Sequence, residues 1–199
     1  MSTLARPVSS RFHEALSYAS AMHAEQSRKG GEIPYVSHLM AVSVIVMEAR
    51  GTEDEAIAAL LHDGPEDQGG LERLADIRTR FGDRVAGIVE RCSDTFETPK
   101  PSWLARKRAY VDSLASADAS TLLVSVADKL HNARATLRDL QAAADPATVW
   151  HRFKGTPEQT LANYRALIDA YEHGTPDVRR DPVVRELRRV VEGMEQTRC

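Results

Sequence analysis

Apolar side chains recur at intervals of three and four along almost the whole chain, and period-two alternation is nearly absent. Phe12, Leu16 and Ala19 form one helical stripe behind Ser9 and Ser10, either of which can cap a helix. The run Arg28-Lys29-Gly30-Gly31-Glu32-Ile33-Pro34 then breaks the pattern. A second helix is predicted from near Ser37, bearing Leu39, Val42, Ile45 and Val46. Its β-branched content also suits a strand, but Gly51 offers a C′ stop and Thr52 an immediate new start, which favours helix. Thr52-Glu53-Asp54-Glu55 reads as a capping box for a helix running through Ile57, Leu60 and Leu61 to His62-Asp63, where Gly64-Pro65 ends it. Leu71, Leu74, Ile77 and Phe81 mark a helix closed by Gly82, and Val85, Ile88, Val89 and Cys92 mark the next. Ser93 to Ser102, with Pro99 and Pro101, reads as a loop before the helical spacing of Trp103, Tyr110 and Leu114. Leu123, Val126, Ala127, Leu130, Leu137 and Leu140 give the strongest stripe, which should lie at the centre. Thr156-Pro157 and Asp181-Pro182 open two further helices. The pattern predicts an all-α fold, a single compact bundle of about eight or nine helices. It is read as one domain over residues 1–199, with the helices of 150–199 packed on the rest and no dividing linker.

A chain of 199 residues can bury ~70% of its unfolded surface, so it needs no disulfide or metal staple to fold. A net charge of −3 excludes a global basic field for duplex nucleic acid. Cys92 and Cys199 are too few for a secreted disulfide scaffold and point to a reducing, cytoplasmic setting. Met1 to Ser10 has no apolar core of a signal peptide, and the longest apolar stretch, Met40 to Met47, is too short to cross a bilayer. No membrane and no nucleic-acid partner is therefore expected.

His38, His62-Asp63, Glu66-Asp67 and Asp128 are the informative polar set. Singly each is weak: a lone histidine is more often a hydrogen-bonded structural residue, and an acid inside a helix is usually solvated. Their surroundings change the reading. His62-Asp63 directly follows Ala58-Ala59-Leu60-Leu61, and Asp128 follows Val124-Ser125-Val126-Ala127. Charges against such runs are costly to bury without compensation. One metal ion would account for His38, His62, Asp63 and Asp128 together, and the donor set suits Mn²⁺, Fe²⁺ or Zn²⁺. Glu66 and Asp67, just past the Gly-Pro turn, can orient or deprotonate a water. The plainer alternative is a polar loop or helix cap.

Four segments resemble, in order and in register, the hydrolase domain of RelA/SpoT proteins, a branch of the HD phosphohydrolase superfamily. They are Ala21-Met22-His23-Ala24-Glu25-Gln26-Ser27-Arg28-Lys29-Gly30, Pro34-Tyr35-Val36-Ser37-His38-Leu39, Ala58 to Asp67, and Val126-Ala127-Asp128-Lys129-Leu130-His131-Asn132. The resemblance is strongest over residues 10–140, and the chain looks like a stand-alone small alarmone hydrolase. It implies metal ligands at His38, His62, Asp63 and Asp128, with Mn²⁺ the usual ion, and water activation by Glu66 and Asp67. It implies that Arg28 packs on a guanine base with Lys29 beside it, and that Asn132 lies near ribose and phosphates. The implied substrate is (p)ppGpp, cleaved at its 3′ side to GDP or GTP and pyrophosphate. The chain departs from many relatives at Gly64-Pro65, which affects loop geometry more than ligand identity. Two other functions fit the same fold: a phosphatase acting on another nucleotide such as NADPH, and a non-catalytic nucleotide-binding protein.

So charged a substrate needs cations. Arg106-Lys107-Arg108 open a helix; a solvated face competes with phosphate binding there, and Lys107 is the residue that would touch phosphate. Asn132 shares a face with Asp128, whereas Lys129 is expected to point ~100° away from it. His23 reads as a structural core residue, and His13, His151 and His173 as surface residues. The basic run Arg179-Arg180, Arg185, Arg188-Arg189 reads as a solvated face or a contact in a homo-oligomer.

Overall fold

The computed structural model describes residues 8–96 and 99–197. Most of the Met1–Ser10 segment, Cys199 and part of the Ser93–Ser102 loop thus lie outside the described residues. Ten helical segments occur among them: α1 (Ser10–Met22), α2 (Val36–Glu48), α3 (Glu53–Leu61), α4 (Gly64–Asp67), α5 (Gly70–Cys92), α6 (Trp103–Leu114), α7 (Ala119–Ala142), α8 (Ala147–Trp150), α9 (Pro157–His173) and α10 (Asp181–Gln196). α4 and α8 are single turns. The only β feature among the described residues is an isolated bridge between Ser27 and Pro34. The all-α expectation holds.

The caps predicted at Ser9, Thr52 and Thr156 form, whereas Asp181 lies inside α10 behind Arg180 and makes no side-chain cap. Ser9 accepts from the Arg11 amide, Thr52 and Glu55 make a reciprocal capping box, and Thr156 with Gln159 makes a second behind Pro157. Gly82, at φ 86°, bends α5 between its two predicted halves. Two boundaries differ from expectation. Gly64-Pro65 does not end the helical path; with proline in its first turn it opens α4, which presents Glu66 and Asp67. At the end of α2 the left-handed residue is Arg50 (φ 61°), not Gly51. Gly51 occupies the next position, where its amide bonds the Val46 carbonyl at 2.8 Å. A Cβ there would lie 2.5 Å from a Val46 methyl, so close approach is what demands glycine.

α3 is the buried spine of the site. Ala56 to Leu61 are each at most 1% exposed, surrounded by α1, α2, α5 and α7. Three alanines among these six residues let the neighbouring helices approach closely, and each buried leucine contributes ~1.5–3 kcal/mol. α7 is central as predicted, packing on α2, α3, α5 and α10, with Leu122 to Asp128 all buried. The cap of α3 is clamped from far along the chain. Glu55, 1% exposed, accepts from Arg179 at 3.0 and 3.2 Å. Burial alone would raise the Glu55 carboxyl, but Arg179, Ser120 and the Thr52 amide hold it below the usual range. No helix among the described residues is long and apolar enough to cross a membrane.

Candidate active site

Three helices deliver one polar cluster into this core. His38 sits in the first turn of α2, His62 and Asp63 follow the end of α3, and Asp128 lies halfway along α7. His38 Nε2 is 3.2 Å from Asp128 Oδ1 and 3.4 Å from Asp63 Oδ2. His62 Nε2 is 3.1 Å from Asp63 Oδ2 and 3.6 Å from Asp128 Oδ1. Both Nε2 atoms are buried and lack a hydrogen bond. The geometric set that could hold a metal ion among the described residues is His38, His62 and Asp128, all buried. Asp63 adjoins it, about one-fifth exposed. All four residues predicted as ligands are thus brought together.

The far sides of these groups are tethered. His62 Nδ1–H donates to the Ala59 carbonyl at 2.8 Å, which turns Nε2 toward the cluster. His38 Nδ1 is 2.7 Å from His131 Nδ1. Burial, His38 and Arg28 push His131 down to about 4, so it is a neutral partner that shares a single Nδ1 proton with His38. The Tyr35 hydroxyl donates to Asp63 Oδ2 at 2.6 Å. Asp128 Oδ1 accepts from Asn132 Nδ2, and Oδ2 from Lys129 Nζ at 2.6 Å. Lys129 therefore does not point away from Asp128. Its long stem curls back across the turn and lays the ammonium 4.9 Å from the centre of the Tyr110 ring.

Burial would raise both acids. Instead His62 holds Asp63, and Lys129 with the two imidazoles holds Asp128, well below the carboxylate range. Burial opposes a charged His62 ring, yet Asp63 and Asp128 raise it well above its ordinary value. The two acids draw positive charge to this point. A proton can supply it, and so can a divalent cation, for which two orphaned imidazole nitrogens and two carboxylates form a fitting donor set.

Around this centre the other predicted residues take distinct places. Glu66 and Asp67 diverge. Glu66 turns toward α6, 3.6 Å from Lys100 and 3.9 Å from Arg106, and accepts from the Asp94 amide. Exposed Asp67 turns the other way and accepts from Gln26 at 2.8 Å. Lys107 is held 2.9 Å from Asp94, which Arg106 also contacts at 2.6 Å. Arg106 is buried, so a solvated face does not describe it. Arg28 rises from a tight turn closed by its amide on the Ile33 carbonyl, and donates to Asn132 Oδ1 at 2.6 Å. Lys29 is exposed beside it. Asn132 thus bonds Arg28 with one end of its amide and Asp128 with the other. Tyr35, Gln26, Asp94 and His131 were given no role by the sequence. His131 is three residues from Asp128 and so on its helical face, which was a usable signal; Asp94, inside a predicted loop, offered none.

The profile of the HD domain family matches residues 15–154. The guanosine-3′,5′-bis(diphosphate) 3′-pyrophosphohydrolase MESH1 of Drosophila melanogaster is 38% identical over 136 residues, covering 67% of this chain and 71% of that protein. Its Homo sapiens counterpart is 35% identical over 142 residues, covering 70% and 74%. Among solved structures, a metazoan SpoT ortholog described as hydrolysing ppGpp superimposes with a TM-score of 0.74 at 30% identity, over 94% of this chain and 97% of that one.

Proposed function

The chain belongs to the HD domain family, and from that premise we propose that it hydrolyses (p)ppGpp at the 3′-diphosphate, releasing GDP or GTP and pyrophosphate. The observation that carries this reading is the convergence of His38, His62, Asp63 and Asp128, with both Nε2 atoms unpartnered, beside an arginine-bearing turn. Similarity over two thirds or more of named 3′-pyrophosphohydrolases supports the substrate. His38, His62, Asp63 and Asp128 would hold a divalent ion, Mn²⁺ by preference. When bound, the ion supplies Lewis acidity and neutralises phosphoryl charge.

The chain's own side chains divide the remaining work. Arg28, braced by Asn132 and lying 5.7 Å from the centre of the Tyr35 ring, offers a flat cation for the guanine face, with Lys29 at its edge. Lys107 and Lys129 balance diphosphate charge. Asp67, exposed and held by a neutral amide, takes the proton from the attacking water; Glu66, already paired with cations, fixes the adjoining wall. Water oxygen bonds the phosphorus attached to O3′, the O3′–P bond breaks, and GDP or GTP leaves with a 3′-hydroxyl, its O3′ taking up a proton from solvent as Asp67 gives the water's proton back to solvent. One cytoplasmic domain acting on a small molecule, without nucleic acid or membrane, suffices for this chemistry, and self-association through the basic face of α10 is compatible with it.

Purified protein incubated with Mn²⁺ and ppGpp should release one pyrophosphate per GDP. Absence of release beside a working control hydrolase overturns the substrate. Orthophosphate release from NADPH in the same panel, without pyrophosphate from ppGpp, transfers the site to a nucleotide phosphatase.

A further inference from the structure

Asp67 is exposed and stands on a single helical turn, a poor platform for a group that must aim at one water. Among the described residues its carboxylate has one hydrogen-bond donor, the Gln26 side chain, at 2.8 Å. The orientation of that amide is over-determined. Its oxygen faces two groups at once, His23 Nδ1 at 2.7 Å and Gln68 Nε2 at 2.9 Å. The Asp67 carboxylate can only accept, so the Gln26 NH₂ must face it, and the Gln26 oxygen is left for Gln68 and His23. His23 is 2% exposed and stacks on the Tyr35 ring at 5.0 Å and 22°. That ring is the one whose hydroxyl holds Asp63. The Gln26 backbone is fixed independently, its carbonyl accepting from Tyr35 and its amide donating to His23. The side chain therefore contributes little to the turn that carries Arg28.

We propose that Gln26 is a positioning residue that holds the Asp67 carboxylate for water activation, with His23 behind it fixing the direction of the amide. This rests on the reading that Asp67 takes the proton from the attacking water. It also gives His23 a role beyond the core: one buried ring backs both the water-activating acid and, through Tyr35, the Asp63 carboxylate.

The test measures steady-state ppGpp hydrolysis, Mn²⁺ affinity by calorimetry and thermal stability for Gln26→Leu, Gln26→Glu and Asp67→Asn. Gln26→Leu removes the donor, and Gln26→Glu replaces it with an acceptor of the same size. Both should lower kcat about tenfold to a hundredfold, the range expected when a catalytic group is displaced by about an ångström. KM and Mn²⁺ affinity should stay within about twofold, because neither the Arg28 turn nor the metal cluster depends on this amide. His23→Phe, which keeps the ring on Tyr35 but loses the donor, should give a smaller loss of kcat. Wild-type kcat in either Gln26 variant alongside an inactive Asp67→Asn overturns the inference and leaves the role of Asp67 standing. A loss that appears in KM, or in step with Mn²⁺ affinity or melting temperature, also overturns it. Wild-type turnover in Asp67→Asn removes the reading on which the inference rests.

Discussion

Replacing Tyr35 by phenylalanine deletes one oxygen and isolates one contact. The hydroxyl donates to Asp63 Oδ2 at 2.6 Å, within the range of a charge-assisted O–H···O⁻ bond. Burial, followed by the charge of Asp63, raises the phenol well above its ordinary value, so it stays a donor at every working pH. A bond to a charged acceptor is worth ~1.5–3 kcal/mol when sealed from water. Asp63 is 22% exposed, so solvent replaces part of it, leaving ~1–2 kcal/mol. At 1.4 kcal/mol per factor of ten, Mn²⁺ affinity should weaken about fivefold to thirtyfold. The stack on His23 survives in the variant, so the melting temperature of the metal-free protein should hardly move. Calorimetric titration with Mn²⁺ against wild type and Asp63→Asn reads the effect directly. Affinity within about twofold of wild type would refute the idea that Tyr35 orients a metal ligand, and an equal loss of metal-free stability would show the hydroxyl to be a fold contact.

Three other outcomes follow from the structure. Mn²⁺ at about a hundred times its Kd should stabilise the protein by ~2.7 kcal/mol, raising Tm by about 5–10 °C; chelator should reverse this, and Asp128→Asn should abolish it. Gly30→Ala puts a Cβ 2.4 Å from Arg152 Cδ at a residue with φ 84°. The ~1–2 kcal/mol of backbone strain falls on the turn bearing Arg28, so KM should rise about fivefold or more with kcat largely kept. Glu55 has a lowered carboxyl, so its contribution is complete above the ordinary glutamate range near pH 4.3 and is lost as pH falls through the lower folded value. With Arg179 28% exposed, Glu55→Gln should cost about 2–3 kcal/mol at pH 7, and its Tm should fall less than wild type between pH 5 and pH 3.

Helix positions were legible because burial here follows a single period. The α3 stripe and its capping box, the α7 stripe and the Gly82 bend each appear in the fold as composition and spacing dictate. The convergence of His38, His62, Asp63 and Asp128 was legible for a different reason: each stands where an apolar run meets an ionisable group, a conflict that only a shared site resolves. Direction of side chains was not legible. Helical phase turns Lys129 away from Asp128, but four methylenes are long enough to bring its charge back. Adjacent Glu66 and Asp67 share a turn yet answer to different partners, Lys100 and Arg106 on one side and Gln26 on the other. Those partners come from loops, whose packing carries no periodic trace in the chain. Arg50 in place of Gly51 as the left-handed residue shows the same limit on a scale of one position.

The clasp between Arg179 and Glu55 also redraws what counts as the minimal folding unit. The family profile stops at residue 154, yet the carboxylate at the head of the helix leading to His62 is neutralised by Arg179, well beyond that limit. A fragment trimmed to that limit would keep every proposed ligand, strand a buried anion at the top of α3, and strip α10 from the flank of α7. The family profile ends earlier than cooperativity does, and the last helices brace from outside the elements that carry the proposed ligands.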